Sequence, residues 1–123
     1  MKLFDKIKSV FINRKNPELH YVVNVDDEGI SCSHPKRNFE RINWTDIDEI
    51  AIVTTNDGPF FPDVWFVFIG KDTGCSFPQG ATNLTDELLF DNIIKRFKNF
   101  DYAIMIQAMS CAENNKFICW TKR

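Results

Sequence analysis

The sequence predicts an α+β fold: an antiparallel meander sheet of about five to six strands, with an N-terminal helix and one or two C-terminal helices packed on it. Short runs of period-two alternation fill the middle of the chain, turn residues separate them, and stretches of helical period lie on either side. With 123 residues, 44% of them hydrophobic and 12 of them Phe, the chain has the size and apolar content of a single domain over residues 1–123. A chain of this length buries about two-thirds of its unfolded surface.

Leu3, Phe4, Ile7, Val10 and Phe11 recur every three or four residues with Lys2, Lys6 and Lys8 between them, which predicts an amphipathic helix ending near Asn13 and closed by Asn16-Pro17. From Leu19 the period becomes two and runs to Val25. Asp26-Asp27-Glu28-Gly29 then turns the chain into Ile30–Ser33, a β-hairpin with an acidic turn. Phe39–Asn43 reads as a third strand, and Thr45 as the cap of a single helical turn or bend. The β-branched run Ile50–Thr55 is a strand. Asn56–Asp63 holds one Gly and two Pro and is a loop; Val64–Ile69, apolar on both faces, is a central strand; Cys75–Phe77 completes the meander.

Thr85 stands at a helix N-cap, with Asp86 and Glu87 in the first turn, a stripe of Leu88, Leu89, Ile93 and Phe97, and Lys95, Arg96 and Lys98 at the end where cations complement the helix dipole. Phe100–Cys111 alternates like a strand at Tyr102, Ile104 and Ile106, yet its Ala, Met and Gln residues favour a helix. The helix, capped by Asp101, is the preferred reading, followed by a last strand Phe117–Trp120.

Cys32, Cys75, Cys111 and Cys119 have no C-x-x-C spacing, so free thiols in a reducing cytoplasm are the expectation. The first residues lack the uninterrupted apolar run of a secretory leader, and the longest apolar stretch is far too short to cross a bilayer. Catalytic groups are sparse. The histidines are His20 and His34, and Cys32 with His34 lacks the Gly-rich turn or helix start that activates a thiol. The five glycines sit singly, so no phosphate-binding loop can be read, and the cysteines lack the close pairing of a zinc site. Asp46, Asp48 and Glu49 lie among turn residues that leave carboxylates solvated. These absences predict a binding protein with no enzymatic activity, metal or cofactor.

Charge is distributed unevenly. Residues 1–15 carry five cations against Asp5, whereas residues 18–72 carry eleven carboxylates against four cations, leaving −7. An acidic stretch disfavours nucleic acid and attracts a basic partner. Phe60 and Phe61 lie between Pro59 and Pro62 and are flanked by Asp57 and Asp63, so a stiff aromatic knob with an acidic rim is a candidate interface anchor. With the hairpin turn, the predicted contact set is Asp26, Asp27, Glu28, Asp57, Phe60, Phe61 and Asp63.

The pattern Ile42-Asn43-Trp44-Thr45-Asp46-Ile47 leading into Ile50–Thr55, then Asp57-Gly58-Pro59, Asp63-Val64-Trp65, Phe77-Pro78-Gln79-Gly80-Ala81, Phe100-Asp101, Ala108-Met109 and Phe117-Ile118-Cys119-Trp120, resembles small bacterial immunity proteins of polymorphic toxin and contact-dependent growth inhibition systems. The resemblance covers residues 40–123 and implies an intracellular inhibitor that covers the active site of one cognate protein toxin, often a nuclease. It transfers no site residues, because such proteins use different surfaces against different toxins. The competing expectation is a pleckstrin-homology-like adaptor that meets lipid or protein through its loops or its basic N-terminal helix.

Overall fold

A computed structural model describes residues 20–56 and 64–122. The predicted N-terminal helix and the loop carrying Asp57, Phe60, Phe61 and Asp63 lie outside the described residues. Within them the chain runs β1 (Val22–Val25), β2 (Gly29–His34), β3 (Arg37–Asn43), a 3-10 turn (Trp44–Asp46), β4 (Ile47–Thr54), β5 (Val64–Gly70), β6 (Gly74–Pro78), α1 (Asp86–Arg96), α2 (Tyr102–Met109) and β7 (Asn115–Thr121).

The α+β class and the antiparallel pairing agree with the sequence; the single meander does not. The strands form two sheets, one of three in the order β1-β2-β3 and one of four in the order β6-β5-β4-β7. The 3-10 turn makes the break. Trp44 anchors it by donating its indole N–H to the Asp26 carbonyl at 3.0 Å and its backbone N–H to the Glu28 carbonyl at 2.9 Å. Its ring packs edge-on against Phe68 and Phe97, and the Arg96 guanidinium lies 5.1 Å above it. The predicted Thr45 cap is not used: Asn43 holds the cap position with no side-chain hydrogen bond, since Trp44 fixes the turn from the core side.

Where β3 passes β6, side chains replace a backbone ladder. Glu40 Oε1 accepts the Ser76 N–H at 2.8 Å, while Glu40 Oε2 accepts from the Arg37 guanidinium at 3.0 Å. Arg37 also donates to Ser76 Oγ at 3.1 Å, and the Thr73 hydroxyl donates to the Arg41 carbonyl at 2.9 Å. At the far edge of the first sheet, β1 is covered by Thr82, which exchanges two backbone hydrogen bonds with Tyr21 and Val23. Gly29 is required in the hairpin, because a Cβ there would strike the Ile42 carbonyl oxygen.

One hydrophobic cluster joins both sheets and both helices. The inner face of the larger sheet supplies Ile50, Ile52, Phe66, Phe68 and Phe77; the smaller sheet supplies Val23, Ile30 and Ile42; α1 supplies Leu89 and Ile93. The Thr85 hydroxyl caps α1 as the sequence predicts, and Asp101 caps α2, resolving the Phe100–Cys111 ambiguity as helix. Leu88, placed in the buried stripe by its spacing, is exposed instead. Asn92 is buried in its place, donating to the Leu88 carbonyl and accepting from Arg96. β5 is an interior strand, but only Phe66 and Phe68 on it are fully buried.

Phe68→Ala should cost about 3–5 kcal/mol in urea unfolding, from lost transfer energy and the cavity left behind. Phe39→Ala, at a residue 64% exposed, should change stability by no more than about 0.5 kcal/mol.

Candidate functional site

The acidic turn of the β1–β2 hairpin is built in detail. Asp26 Oδ1 accepts the backbone N–H groups of Glu28 and Gly29, both at 2.8 Å, which closes the turn. The same carboxylate takes both terminal nitrogens of Arg41, at 3.1 and 3.2 Å. The Arg41 guanidinium and the two backbone donors hold the Asp26 carboxyl down at about 2. Asp26 is therefore a neutralised structural residue, and Asp27 and Glu28 carry the turn's outward charge.

Two further turns sit beside this one. Trp44 ties the 3-10 turn to Glu28, which brings Asp46 to the same end, and the Gly70–Gly74 turn packs directly on the Asp46 backbone, where a Cβ on Gly70 would lie 2.6 Å from the Asp46 carbonyl oxygen. That turn adds Asp72 and, next to it, the exposed Lys71, which leaves the end acidic overall. Asp27, Glu28, Asp46 and Asp72 are exposed and have no ion-pair partner among the described residues. Asp48 follows, held loosely by Lys122 at 3.9 Å. Chain positions 27 to 72 thus converge into one acidic end. Sequence reading found its first turn and noted Asp46 and Asp48 separately. It missed Asp72, because only the seating of Gly70 on the 3-10 turn shows that this carboxylate belongs there.

The described residues that bracket the second half of the predicted contact set lie at the other end of the larger sheet. β4 and β5 pair from Ile47–Gly70 at the acidic end to Thr54–Val64 at the other, a span of roughly 23 Å at 3.3 Å per residue. Asn56 and Val64, which bracket the loop of Asp57, Phe60, Phe61 and Asp63, therefore lie far from Asp27 and Glu28.

At that other end, sequence reading missed an aromatic and basic cluster. The Tyr21 ring stacks on His34 with centroids 4.2 Å apart and meets Trp65 edge-on at 5.3 Å. The Arg37 guanidinium lies 5.6 Å from the Tyr21 ring and 5.8 Å from the Trp65 ring. Burial pushes the Tyr21 phenol up, against the opposing pull of Arg37. His34 Nδ1 accepts the Lys36 N–H at 3.0 Å, so in the neutral ring the proton sits on Nε2. Cys32 does not partner His34 as a nucleophile: it faces the core, and burial pushes its thiol up to about 11. Burial likewise raises the thiols of Cys75 and Cys119. No group of three or more metal-ligating side chains converges among the described residues, and no helix there is long and apolar enough to cross a membrane.

Comparison with protein-family models, curated proteins and solved structures finds no match to this chain. The likeness to immunity proteins is carried by the sequence pattern alone.

Because the Asp26 carboxyl titrates lower in the folded chain than in the unfolded one, its contribution to stability is complete above the ordinary carboxylate range and is lost as pH falls toward 2. Asp26→Asn should therefore be less stable than the natural chain at about pH 6, with the gap closing between about pH 4 and pH 2 in urea titrations. A gap independent of pH would contradict the assigned role of this charge.

Proposed function

We propose that this chain is an intracellular protein-binding inhibitor of the immunity type, which neutralises a bacterial toxin by laying its acidic end over the toxin's basic substrate-binding surface. The observation that carries this reading is the convergence of Asp27, Glu28, Asp46 and Asp72 from three separate turns, with no cation paired to any of them among the described residues. Turn carboxylates held by tight backbone contacts form a preorganised anionic surface, and such a surface accelerates encounter with a cationic one and discriminates against acidic partners. A nuclease, whose active site is shaped for a polyanion, fits that field. The same field repels nucleic acid itself, so the chain competes with the substrate and does not bind it. Asp57, Phe60, Phe61 and Asp63 stay in this reading as further contacts with the toxin, on the strength of the proline-braced aromatic sequence alone.

The test is co-expression with the toxic C-terminal region of a secreted protein encoded immediately upstream. The natural chain should protect the cell, and its association with that region should slow steeply as salt is raised. Replacing Asp27, Glu28, Asp46 and Asp72 together with Lys should weaken binding at least about a hundredfold in calorimetry while leaving the far-ultraviolet dichroism unchanged. Undiminished affinity in the charge-reversed protein would remove the acidic end from the interface.

A further inference from the structure

The connection from β2 to β3 closes in two residues, Pro35 and Lys36, since His34 faces Arg37 across the hairpin. Two-residue hairpin turns ordinarily take a positive φ at one or both central positions, because those turns share the twist of the flanking strands. Neither Pro35 nor Lys36 has one. The turn is therefore of a kind that splays its strands, and it gains from any contact that ties it closed. The His34 ring makes such a contact: its Nδ1 accepts the Lys36 N–H at 3.0 Å. Asn and Asp side chains opening a turn accept the N–H two residues on in the same way. An imidazole in that role differs in one respect. It takes up a proton near neutral pH, and a protonated Nδ1 donates where it had accepted.

The groups that face this partly buried ring among the described residues also oppose a second positive charge. Ahead of β1 stand the His20 ring, 5.9 Å away, and the neutral Tyr21 ring at 4.2 Å. Lys36 in the turn and Arg37 opposite in β3 are cations. Glu40, the acid of β3, is engaged by Arg37 at 3.0 Å, and Trp65 of β5, which packs on Tyr21, is uncharged. Arg37 depends on the same turn. It follows Lys36 directly, and from there its guanidinium lies over the Tyr21 and Trp65 rings and donates to Glu40 and Ser76 Oγ.

We propose that His34 is a proton-operated cap: neutral, it closes the β2–β3 turn and seats Arg37 on Tyr21 and Trp65; protonated, it releases the Lys36 N–H, opens the turn and unseats Arg37. Folding gives the neutral ring a hydrogen bond that the unfolded chain lacks, so the folded protein holds this proton less tightly. The contribution of His34 to stability is then complete above the ordinary histidine range, about 6.5, and is lost as pH falls through the lower value of the folded ring. Asp26 gives up its own contribution only as pH falls toward 2, so the two windows are separate.

Proton–nitrogen correlation spectra of the full chain between about pH 8 and about pH 4.5 test this. The His34 ring is expected to titrate below about 6, and the Lys36 amide and Arg37 Nε resonances are expected to move with the same midpoint. In His34→Asn the carboxamide oxygen keeps the Lys36 N–H but does not titrate. Between about pH 7 and about pH 5 the unfolding constant of this variant in urea should rise about tenfold less than that of the natural chain. A His34 ring that titrates at or above about 6.5, a Lys36 amide or Arg37 resonance that ignores its titration, or a His34→Asn chain with the natural pH dependence overturns the proposal. The resonance measurements need the natural chain alone, so they decide the matter even if His34→Asn fails to fold.

Discussion

The two sheets share one hydrophobic core, and a carboxylate closes the polar seam between them. Neighbouring strands in a sheet ordinarily satisfy one another's N–H and C=O groups, but between β3 and β6 Glu40 takes that place, accepting the Ser76 N–H through one oxygen and Arg37 through the other. Val67 stands opposite Ser76 on β5, and the Ser76 N–H points away from it toward Glu40. Without Glu40 this N–H is an orphaned donor at a partly buried seam, a loss of about 1–3 kcal/mol. The position of the seam then determines much else. Thr73 is drawn to the Arg41 carbonyl, the Gly70–Gly74 turn is drawn to Asp46, and the acidic end is assembled as a by-product of closing the two sheets.

The same closure separates the charges. Arg37 and Arg41 lie on β3, four residues apart, and each is engaged by a carboxylate, Glu40 at one end and Asp26 at the other. Among the described residues of the acidic end, the unpaired charges are Asp27, Glu28, Asp46 and Asp72 against Lys71. The opposite end carries Tyr21, His34, Arg37 and Trp65 in ring and guanidinium contact. The two ends therefore present different chemistry to a partner.

Much of the local structure was legible because local rules govern it. Thr85 and Asp101 cap their helices as their spacing requires, and the alternation from Val22 to Ser33 around an Asp- and Gly-bearing turn is the hairpin observed. What escaped was long-range. Nothing in the run from Phe39 to Ile52 distinguishes a strand that continues one sheet from two strands in different sheets, because the break depends on Trp44 finding the Asp26 carbonyl and the Phe68 and Phe97 rings. The burial of Asn92 in place of Leu88 escaped for the same reason: a polar side chain goes inside only where the Leu88 carbonyl and Arg96 satisfy it. In the candidate site, Asp27 and Glu28 could be read from their turn. Asp72 required knowledge of which turns become neighbours, and the Tyr21–His34–Trp65 cluster required the pairing of three distant segments.

That a side-chain carboxylate replaces the ladder between β3 and β6 is measured most directly by amide hydrogen exchange at Ser76. In the natural protein this N–H should be protected to the same degree as the interior amides of β4 and β5, and in Glu40→Ala its protection should fall by about two orders of magnitude or more beyond any change in global stability. A Ser76 amide that exchanges freely in the natural protein, or one whose protection survives removal of the carboxylate, would show that Glu40 does not take the place of the ladder at the seam.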